Sequence, residues 1–355
     1  MRNINRLIFL TSLINLLFLQ NGFTAIDASL DSLIQKSVRL TIEQKYDSAL
    51  VVGEEIITHY PTHPAGYLFL AATLQTQMMD FETDTREKEF YAYLDTALVL
   101  AKKRVENYPE DAHAHFFLGS VYCYESFYKA KQSQYWDAFR DVKKGMPPLN
   151  RAVELDSSFA DAYLGLGSYL FWRSQKTRSL NWLPFLSDER GKGISMIWRS
   201  ILEGKYSRLA AINGLAWIYI DLKDYDKAIE VALMGHRDFP QSRYFLWCLA
   251  EANFRKGACK ESRTYFQDIL LSITSDIPVS LNNHYNEVIC HQKLAQCAFE
   301  LKQYGIALNH CNVVENFVLD PNIENRLEKR LKSLKKLKES CQEQNETSSL
   351  VQSTH

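Results

Sequence analysis

The 355-residue sequence is poor in the two residues that most often break helices, with 14 glycines and 9 prolines. Proteins built from many short strands and tight turns use both residues more often, so their scarcity favours long helices over a turn-dense β-fold. No charge of one sign dominates, because the formal net charge at pH 7 is −1. Nucleic-acid binding needs a concentrated positive surface, so no nucleic-acid partner is predicted.

Cysteine is present, but not in the patterns that carry chemistry. The seven cysteines lie at positions 123, 248, 259, 290, 297, 311 and 341, with no CxxC pair. Disulfide scaffolds are typical of much shorter secreted chains, so we expect most of these thiols to be small buried hydrophobic residues. Cys290 and Cys297 lie near His310, but their spacing fits no zinc motif, and no metal site is predicted.

The motifs of nucleotide binding and covalent catalysis are also missing. There is no P-loop, dinucleotide fingerprint or nucleophile motif, so no catalytic residue and no cofactor are predicted. Four carboxylates, Glu125, Asp137, Asp188 and Glu189, lie in regions where two of them could meet. A carboxylate-based hydrolase is therefore one alternative function, although the prediction is a protein that is not an enzyme.

The first 28 residues have the pattern of an export signal. Arg2 and Arg6 precede an apolar run at 7–20, and small residues at Ala25 or Ala28 offer cleavage sites. The run is short for a membrane-spanning helix, which needs about 20 apolar residues. We predict a signal peptide over 1–28 and an exported protein of the periplasm or cell envelope, with an uncleaved anchor as the alternative.

One short phrase recurs along the chain, a leucine followed at once by a small residue. The six copies are Leu70-Ala71, Leu118-Gly119, Leu166-Gly167, Leu215-Ala216, Leu249-Ala250 and Leu294-Ala295. Glycine inside a helix costs about 1 kcal/mol relative to alanine, and a close helix–helix contact is the usual reason to keep it. We therefore predict that Gly119 and Gly167 each lie against a neighbouring helix.

Between these phrases lie predicted partner helices. In the segments at 45–50, 224–229 and 303–308, an alanine lies three residues after an aromatic residue. The prolines at 61, 109 and 240 each lie 12 residues after an alanine. The steps from Leu30 to Pro64 and from Leu209 to Arg243 are both 34 residues. In these features the chain resembles the tetratricopeptide repeat, a helix–turn–helix unit of about 34 residues.

The resemblance implies an all-α fold: a right-handed tetratricopeptide-like α-solenoid of about seven antiparallel helix pairs over 29–321. Three central steps are longer, at 48, 48 and 49 residues, so three central pairs are predicted to be elongated by inserts. The extra residues either lengthen both helices or form loops. Pro147-Pro148 and Pro184 are predicted to break two of the inserts.

The C-terminal part begins with an amphipathic segment at 322–341. Its apolar residues form one stripe, and a capping helix that covers the last repeat is predicted. The alternative for its basic face is peripheral association with a membrane or with acidic partners. The polar residues 342–355 are predicted to be disordered.

In tetratricopeptide arrays the first helix of each pair lines a concave groove, which the resemblance carries over to residues of this chain. The predicted partner-binding residues are His113, Phe116, Tyr124, Phe171, Trp172, Asn213, Trp217, Asp221, Tyr244, Trp247, Glu251 and Arg255, with Asp161, Gln292, Gln296 and Glu300 as further candidates. The lysine positions of a carboxylate clamp hold Phe116, Leu164 and Trp247 instead, which argues against chaperone-tail binding.

Aromatic residues with sparse charge suit a protein or peptide partner that has apolar anchors. The predicted function is an exported scaffold for protein–protein interaction through this aromatic-rich groove. The same aromatic residues could instead fill the core between repeats, or line a closed superhelical cavity that carries a small apolar ligand.

Overall fold

A computed structural model of the chain describes residues 27–177, 187–277 and 282–353. Within these ranges the chain forms fifteen α-helices and no strand, so the all-α prediction is confirmed. The predicted export signal over 1–28 lies almost entirely outside the described residues. The helices are α1 Ala28–Ile42, α2 Tyr46–His59, α3 Ala65–Asp80, α4 Glu87–Asn107, α5 Ala112–Lys131, α6 Tyr135–Leu155, α7 Ala162–Lys176, α8 Arg190–Glu203, α9 Arg208–Asp221, α10 Tyr225–Asp238, α11 Arg243–Lys256, α12 Cys259–Asp276, α13 Tyr285–Glu300, α14 Tyr304–Glu315 and α15 Pro321–Ser353.

The first fourteen helices form seven consecutive pairs, and α15 covers the last pair. Each helix packs against the next along the chain, and several first helices also pack side by side, as α3 does with α5 and α9 with α11. This is the packing of a tetratricopeptide-like α-solenoid, as predicted. Within the described part of the chain, no helix is long and apolar enough to cross a membrane.

The predicted close contacts at glycine are present within two helix pairs. A Cβ atom on Gly119 would lie 3.0 Å from the carbonyl oxygen of Gly145, and one on Gly145 would lie 2.9 Å from that of Gly119. Gly167 and Gly193 face each other in the same way, with both distances at 2.6 Å. Because the obstacle is backbone in both pairs, each glycine permits an approach that a side chain would prevent.

The extra length of the central units appears in two forms. In the third pair both helices are long, with 20 residues in α5 and 21 in α6, and in the second pair α4 has 21. The fourth pair is different, because α7 and α8 have only 15 and 14 residues. Its extra residues lie between the two helices, and Pro184 lies outside the described residues.

The predicted break at Pro147-Pro148 is wrong, because α6 continues through both prolines. Each proline removes a backbone donor and crowds the preceding turn, so the helix must be held there by other contacts. Its neighbours provide them: Met146 and Leu149 are buried, and Gly145 lies against α5.

The C-terminal helix is longer than predicted. Its apolar stripe is directed inward, with Ile323, Leu327 and Leu334 buried, as expected of a cap. The helix ends at Ser353, so it continues into the segment that was predicted to be disordered from residue 342. Polarity alone suggested disorder, but glutamine and glutamate such as Gln342 and Glu343 are also good helix formers.

Candidate partner-binding groove

The solenoid closes on itself, because its first two pairs contact its fifth, sixth and seventh pairs. Arg243 at the start of α11 donates to Asp80 at the end of α3 through Nε at 2.9 Å and Nη2 at 2.7 Å. Tyr46 donates to the same carboxylate at 2.9 Å. Arg243 is only 1% exposed, so this ion pair is a buried link between distant repeats.

Other polar contacts continue this closure. The Ser242 hydroxyl donates to the carbonyl oxygen of Ile42 at 2.6 Å, and Asn286 of α13 donates to the carbonyl oxygen of Asp80 at 2.8 Å. The Tyr206 hydroxyl donates to Asp31 of α1. The superhelix is therefore closed by contacts between its first two pairs and its last three pairs.

Aromatic side chains pack together near the N-terminal ends of the first helices, which we call the filled end. Phe116 of α5 is 7% exposed and lies against Tyr206 and Phe159, and Tyr206 also contacts Phe69 of α3. His113 makes an edge contact with Phe159 at 4.8 Å. Phe116 was predicted to bind a partner, but here it is core, because distant pairs supply the rings that cover it.

Tyr124 of α5 and Tyr244 of α11 lie close together and are only partly exposed. Burial raises the pKa of Tyr124 to about 12 and that of Tyr244 higher still, and each ring lies close enough to the other for Tyr124 to contribute to the shift of Tyr244. Gln75 donates to the carbonyl oxygen of Tyr124 at 3.0 Å, and Asn213 donates to that of Tyr244 at 2.5 Å. Three of the predicted residues are therefore fixed in the lining, with only partial exposure.

Two tryptophans are partly exposed towards the C-terminal ends of the first helices, which we call the open end. Trp172 of α7 and Trp217 of α9 are each 38% exposed. The two helices are linked by a hydrogen bond of 2.6 Å from Gln175 to Asp221, which lies one turn beyond the tryptophans. Each tryptophan therefore lies one turn before this hydrogen bond on its own helix.

The lining continues onto α11 with Trp247, Glu251 and Arg255. The Trp247 ring is half-buried and makes an edge contact with Phe266 at 6.0 Å. Glu251 accepts from Arg255 at 2.6 Å and pairs with Lys293 of α13 at 2.9 Å. Burial lowers the pKa of Lys293, while Glu251 opposes that shift. The charges at this part of the groove are thus compensated among themselves.

Two other predicted residues have structural roles instead. Phe171 is fully buried beside Gly193, so it belongs to the contact between α7 and α8. Asp161 is buried and accepts hydrogen bonds from the backbone N–H groups of Tyr206 and Ser207, each at 2.8 Å. Phe171 is covered by α8, and Asp161 is covered by the turn that precedes α9.

The last predicted residues are divided between the cap and a cleft. Gln292 is buried and accepts from Arg330 of α15 at 2.7 Å. Gln296 and Glu300 line an open cleft of about 700 Å³, together with Phe254 and Cys259. This cleft lies where α11 meets α12, beside the C-terminal end of α13.

Phe127 was not among the predicted partner-binding residues, but its side chain is 55% exposed. It lies three residues after Tyr124 on α5, and so on the same helix face but one turn nearer the open end. The same spacing applied to Tyr124 would have found it. We define the open-end surface as Phe127, Trp172, Trp217, Asp221, Trp247, Glu251 and Arg255.

The geometry gives little support to the other chemistries considered. Glu125 pairs with Lys129 at 2.5 Å, Asp137 with Arg140 and Asp188 with Arg190, both at 2.6 Å, and Glu189 pairs with Arg173. These carboxylates therefore have basic partners and do not form a facing acid pair. Within the described ranges, no group of three or more histidine, cysteine, aspartate or glutamate side chains is placed to hold a metal ion.

No protein-family model matches the chain, and no curated protein matches it. Among solved structures it is similar to the Cut9–Hcn1 hetero-tetramer of the APC/C, with 17% identity and a TM-score of 0.50 over 88% of this chain. The match covers 52% of that chain, so this protein spans about half its length. A thermophilic tetratricopeptide protein of Thermus thermophilus matches with 17% identity and a TM-score of 0.38, over 62% of this chain and 98% of that one.

These identities are informative about fold alone. The repeated leucine–small-residue phrases, the seven stacked helix pairs and the likeness to the Cut9 assembly all point to one architecture. The chain has the fold of the tetratricopeptide-repeat proteins, closed by a C-terminal capping helix.

Proposed function

We propose that the protein is a non-enzymatic scaffold that binds a protein or peptide partner on the open-end surface. The observation that carries the proposal is the exposure of Trp172 and Trp217, each 38%, on two helices that the hydrogen bond from Gln175 to Asp221 joins. Tryptophan, tyrosine and arginine dominate the energetics of protein interfaces, and large exposed rings are costly to leave in water. The partner is expected to present apolar anchor side chains.

The open-end surface supports this proposal better than the carrier of a small apolar ligand. A carrier would enclose its ligand and bury most of the surface that lines the cavity. Trp172 and Trp217 remain accessible to solvent, whereas the rings that are sealed, such as Phe116, already pack against other side chains. Exposed tryptophan rings beside rings that already pack against the protein fit a partner that binds from the solvent side.

The test is quantitative capture from an envelope extract of the source cell. The protein is compared with Trp172→Ala, Trp217→Ala and a matched control, Leu271→Ala, whose side chain is 69% exposed on a second helix. A partner of the groove is captured by the unaltered protein and the Leu271 variant but is depleted about tenfold or more by either tryptophan variant. Equal capture by all four proteins would reject the proposal.

We further propose that the protein is exported, on the basis of the charged, apolar and small-residue order of its first 28 residues. Helix α1 begins at Ala28, and Asp27 caps it by accepting from the backbone N–H of Ser29 at 3.0 Å. Cleavage after Ala25 would keep this cap, whereas cleavage after Ala28 would remove it, so Ala25 is the preferred site. N-terminal sequencing of the protein from an envelope fraction tests both points.

Helix α15 is a secondary candidate for contact with a membrane or an acidic partner. Its basic residues include Arg326, which pairs with Glu82, and Lys338, which pairs with Glu315. Lys332 pairs with Glu328 within the helix. Because much of this charge is already paired, the basic face of α15 is the weaker part of the proposal.

A further inference from the structure

A second exposed aromatic surface lies at the start of α6, which is not one of the helices that line the groove. Trp136 is 88% exposed, Tyr135 62% and Phe139 43%. The Phe139 ring stacks on Tyr169 of α7, with ring centres 6.3 Å apart. We call Tyr135, Trp136, Phe139 and Tyr169 the aromatic edge.

The aromatic edge protrudes and does not form the wall of a pocket. Every residue from 131 to 136 is exposed, across the turn that joins α5 to α6. An indole that is 88% exposed has few protein atoms around it, so Trp136 extends into solvent. A surface of this shape can be buried only by a partner that accepts protruding rings.

Two exposed lysines accompany the aromatic edge, and the nearby Asp137 is paired with Arg140 at 2.6 Å. Lys176 of α7 lies over the Tyr135 ring, 5.8 Å from its centre. Neither Lys176 nor Lys143 of α6 has a carboxylate partner among the residues that the structure describes, and both are exposed. Asp141 is buried and is shared by two lysines, Lys129 at 2.6 Å and Lys144 at 2.7 Å. The carboxylates nearby therefore leave a surplus of cationic side chains at the surface.

From this combination we propose that the aromatic edge docks on the interfacial region of an anionic lipid bilayer. The rings of Trp136 and Tyr135 enter the headgroup layer, where tryptophan and tyrosine are most favourable because they combine an apolar body with a polar group. Lys143 and Lys176 keep their ammonium groups at the lipid phosphates while their stems lie along the apolar surface. This site adjoins the open-end surface, because Tyr169 and Lys176 lie on α7 within four residues of Trp172, but it does not rest on the proposed function.

The shape of the edge favours a bilayer over a protein partner. A protein partner would require pockets of its own for several protruding rings, and hot-spot residues are usually packed in such pockets on both sides. The headgroup layer is deformable and accepts rings without a preformed pocket. Charge then adds to the binding, because each lysine near an anionic surface contributes independently of exact geometry.

The first experiment measures whether Trp136 itself is close to the lipid. Lipid binding by residues 1–28 therefore does not affect its interpretation. The full chain is mixed with phosphatidylglycerol vesicles that carry brominated acyl chains, which quench nearby tryptophans. Part of the quenching is expected to be absent in Trp136→Phe and retained in Trp198→Phe, whose indole donates to the Tyr219 hydroxyl at 3.3 Å. Equal quenching of the unaltered protein and Trp136→Phe would overturn the proposal.

The second experiment tests the charge. The double variant Lys143→Glu/Lys176→Glu is expected to bind phosphatidylglycerol vesicles roughly tenfold more weakly at low salt, with its helical circular dichroism unchanged. Val318→Ser, which alters a side chain that is 92% exposed elsewhere, is the control and should bind as the unaltered protein does. Unchanged binding by the double variant would contradict the proposal.

A remaining outcome would assign the edge to a different partner. If light scattering shows a dimer that Trp136→Ser abolishes, and Trp136 is not quenched by the brominated vesicles, the edge is an interface between two copies of the chain. That result would overturn the lipid proposal while leaving the groove untouched.

Discussion

Arg243 and Asp80 form a buried ion pair across 163 residues of sequence, with Nη2 2.7 Å from Oδ2. The arginine begins α11 and the aspartate ends α3, so the pair joins the second helix pair to the sixth. Ser272 and Asp276 of α12 also accept from the guanidinium, the latter at 3.2 Å. A solenoid whose repeats contacted only their neighbours would be an open array, and this network makes it a closed one.

Breaking this pair from one side should be strongly destabilising. Asp80→Ala leaves the Arg243 guanidinium buried without its main counter-charge, and we expect a loss of about 3 kcal/mol in unfolding free energy. Lys332→Ala is the control, because its pair with Glu328 is largely exposed and should contribute less than about 1 kcal/mol. Urea unfolding followed by circular dichroism measures both. A loss for Asp80→Ala as small as that of the control would show that the closure is not maintained by this pair.

Replacing a glycine by alanine should change the stability in opposite directions at two positions. Gly167→Ala would place a Cβ 2.6 Å from the carbonyl oxygen of Gly193, so we expect a loss of about 2 kcal/mol as α7 and α8 are pushed apart. Gly214→Ala meets no atom within 4 Å and lies inside α9, so it should gain up to about 1 kcal/mol from helix propensity. Thermal unfolding of the two variants measures whether one is destabilised and the other stabilised. If Gly167→Ala were as well tolerated as Gly214→Ala, the close approach of α7 and α8 would be incorrect.

Two aromatic residues that were both predicted to line the groove should differ clearly in how much they contribute to the free energy of unfolding. Phe116 is buried against Tyr206, and Phe116→Ala is expected to cost about 3–4 kcal/mol because it opens a cavity in the filled end. Trp217 is partly exposed at the open end, so Trp217→Ala should cost about 1 kcal/mol or less and leave the helical signal intact. Denaturant midpoints measure both changes. Comparable losses for the two variants would place Trp217 in the core.

The difference in burial between Phe116 and Trp217 shows which features the sequence could predict and which it could not. The helix pairs and the glycine contacts follow from local periodicity, and both were predicted correctly at Gly119 and Gly167. The exposure of Phe116 and Trp217 could not be predicted in this way, since both are aromatic residues on the inner face of a first helix. It depends on Tyr206, which is far from Phe116 in sequence and reaches it only because the superhelix closes.

The closure itself leaves no local signal in the sequence. Asp80 and Arg243 look like ordinary helix-end residues, and their meeting depends on small rotations accumulated over several repeats. Pro147-Pro148 is a case of the same kind, because local rules favour a break there. Packing of Met146 and Leu149 against the neighbouring helices outweighs that tendency, and it becomes visible only in three dimensions.

Two histidines make the C-terminal region sensitive to acid. The Nδ1 atoms of His291 and His310 are 2.9 Å apart, and burial lowers both pKa values, that of His310 to about 4 with contributions from His291 and Arg263. The folded pKa lies below the ordinary value of 6.5, so the unfolded chain binds more protons as pH falls. This contribution to stability is present above pH 6.5 and is lost as pH falls towards 4. It amounts to about 2 kcal/mol once solvent screening of the partly buried ring is allowed for.

The test of this prediction compares melting temperatures near neutral pH and near pH 4.5. His310→Gln should reduce the acid-induced drop, whereas His59→Gln, at an exposed position on α2, should leave it unchanged. An identical drop in the unaltered protein and in His310→Gln would remove the histidine pair as its cause.

The proposed function depends most on the accessibility of the open-end surface to a partner. Site-specific photocross-linking tests this directly, with a benzophenone amino acid placed at Trp217 in one variant and at Leu271 in another, each expressed in the source cell. We expect a discrete cross-linked product from position 217 and none from position 271. Absence of a product at 217, or the same product at both positions, would contradict the assignment of this surface as the partner-binding groove.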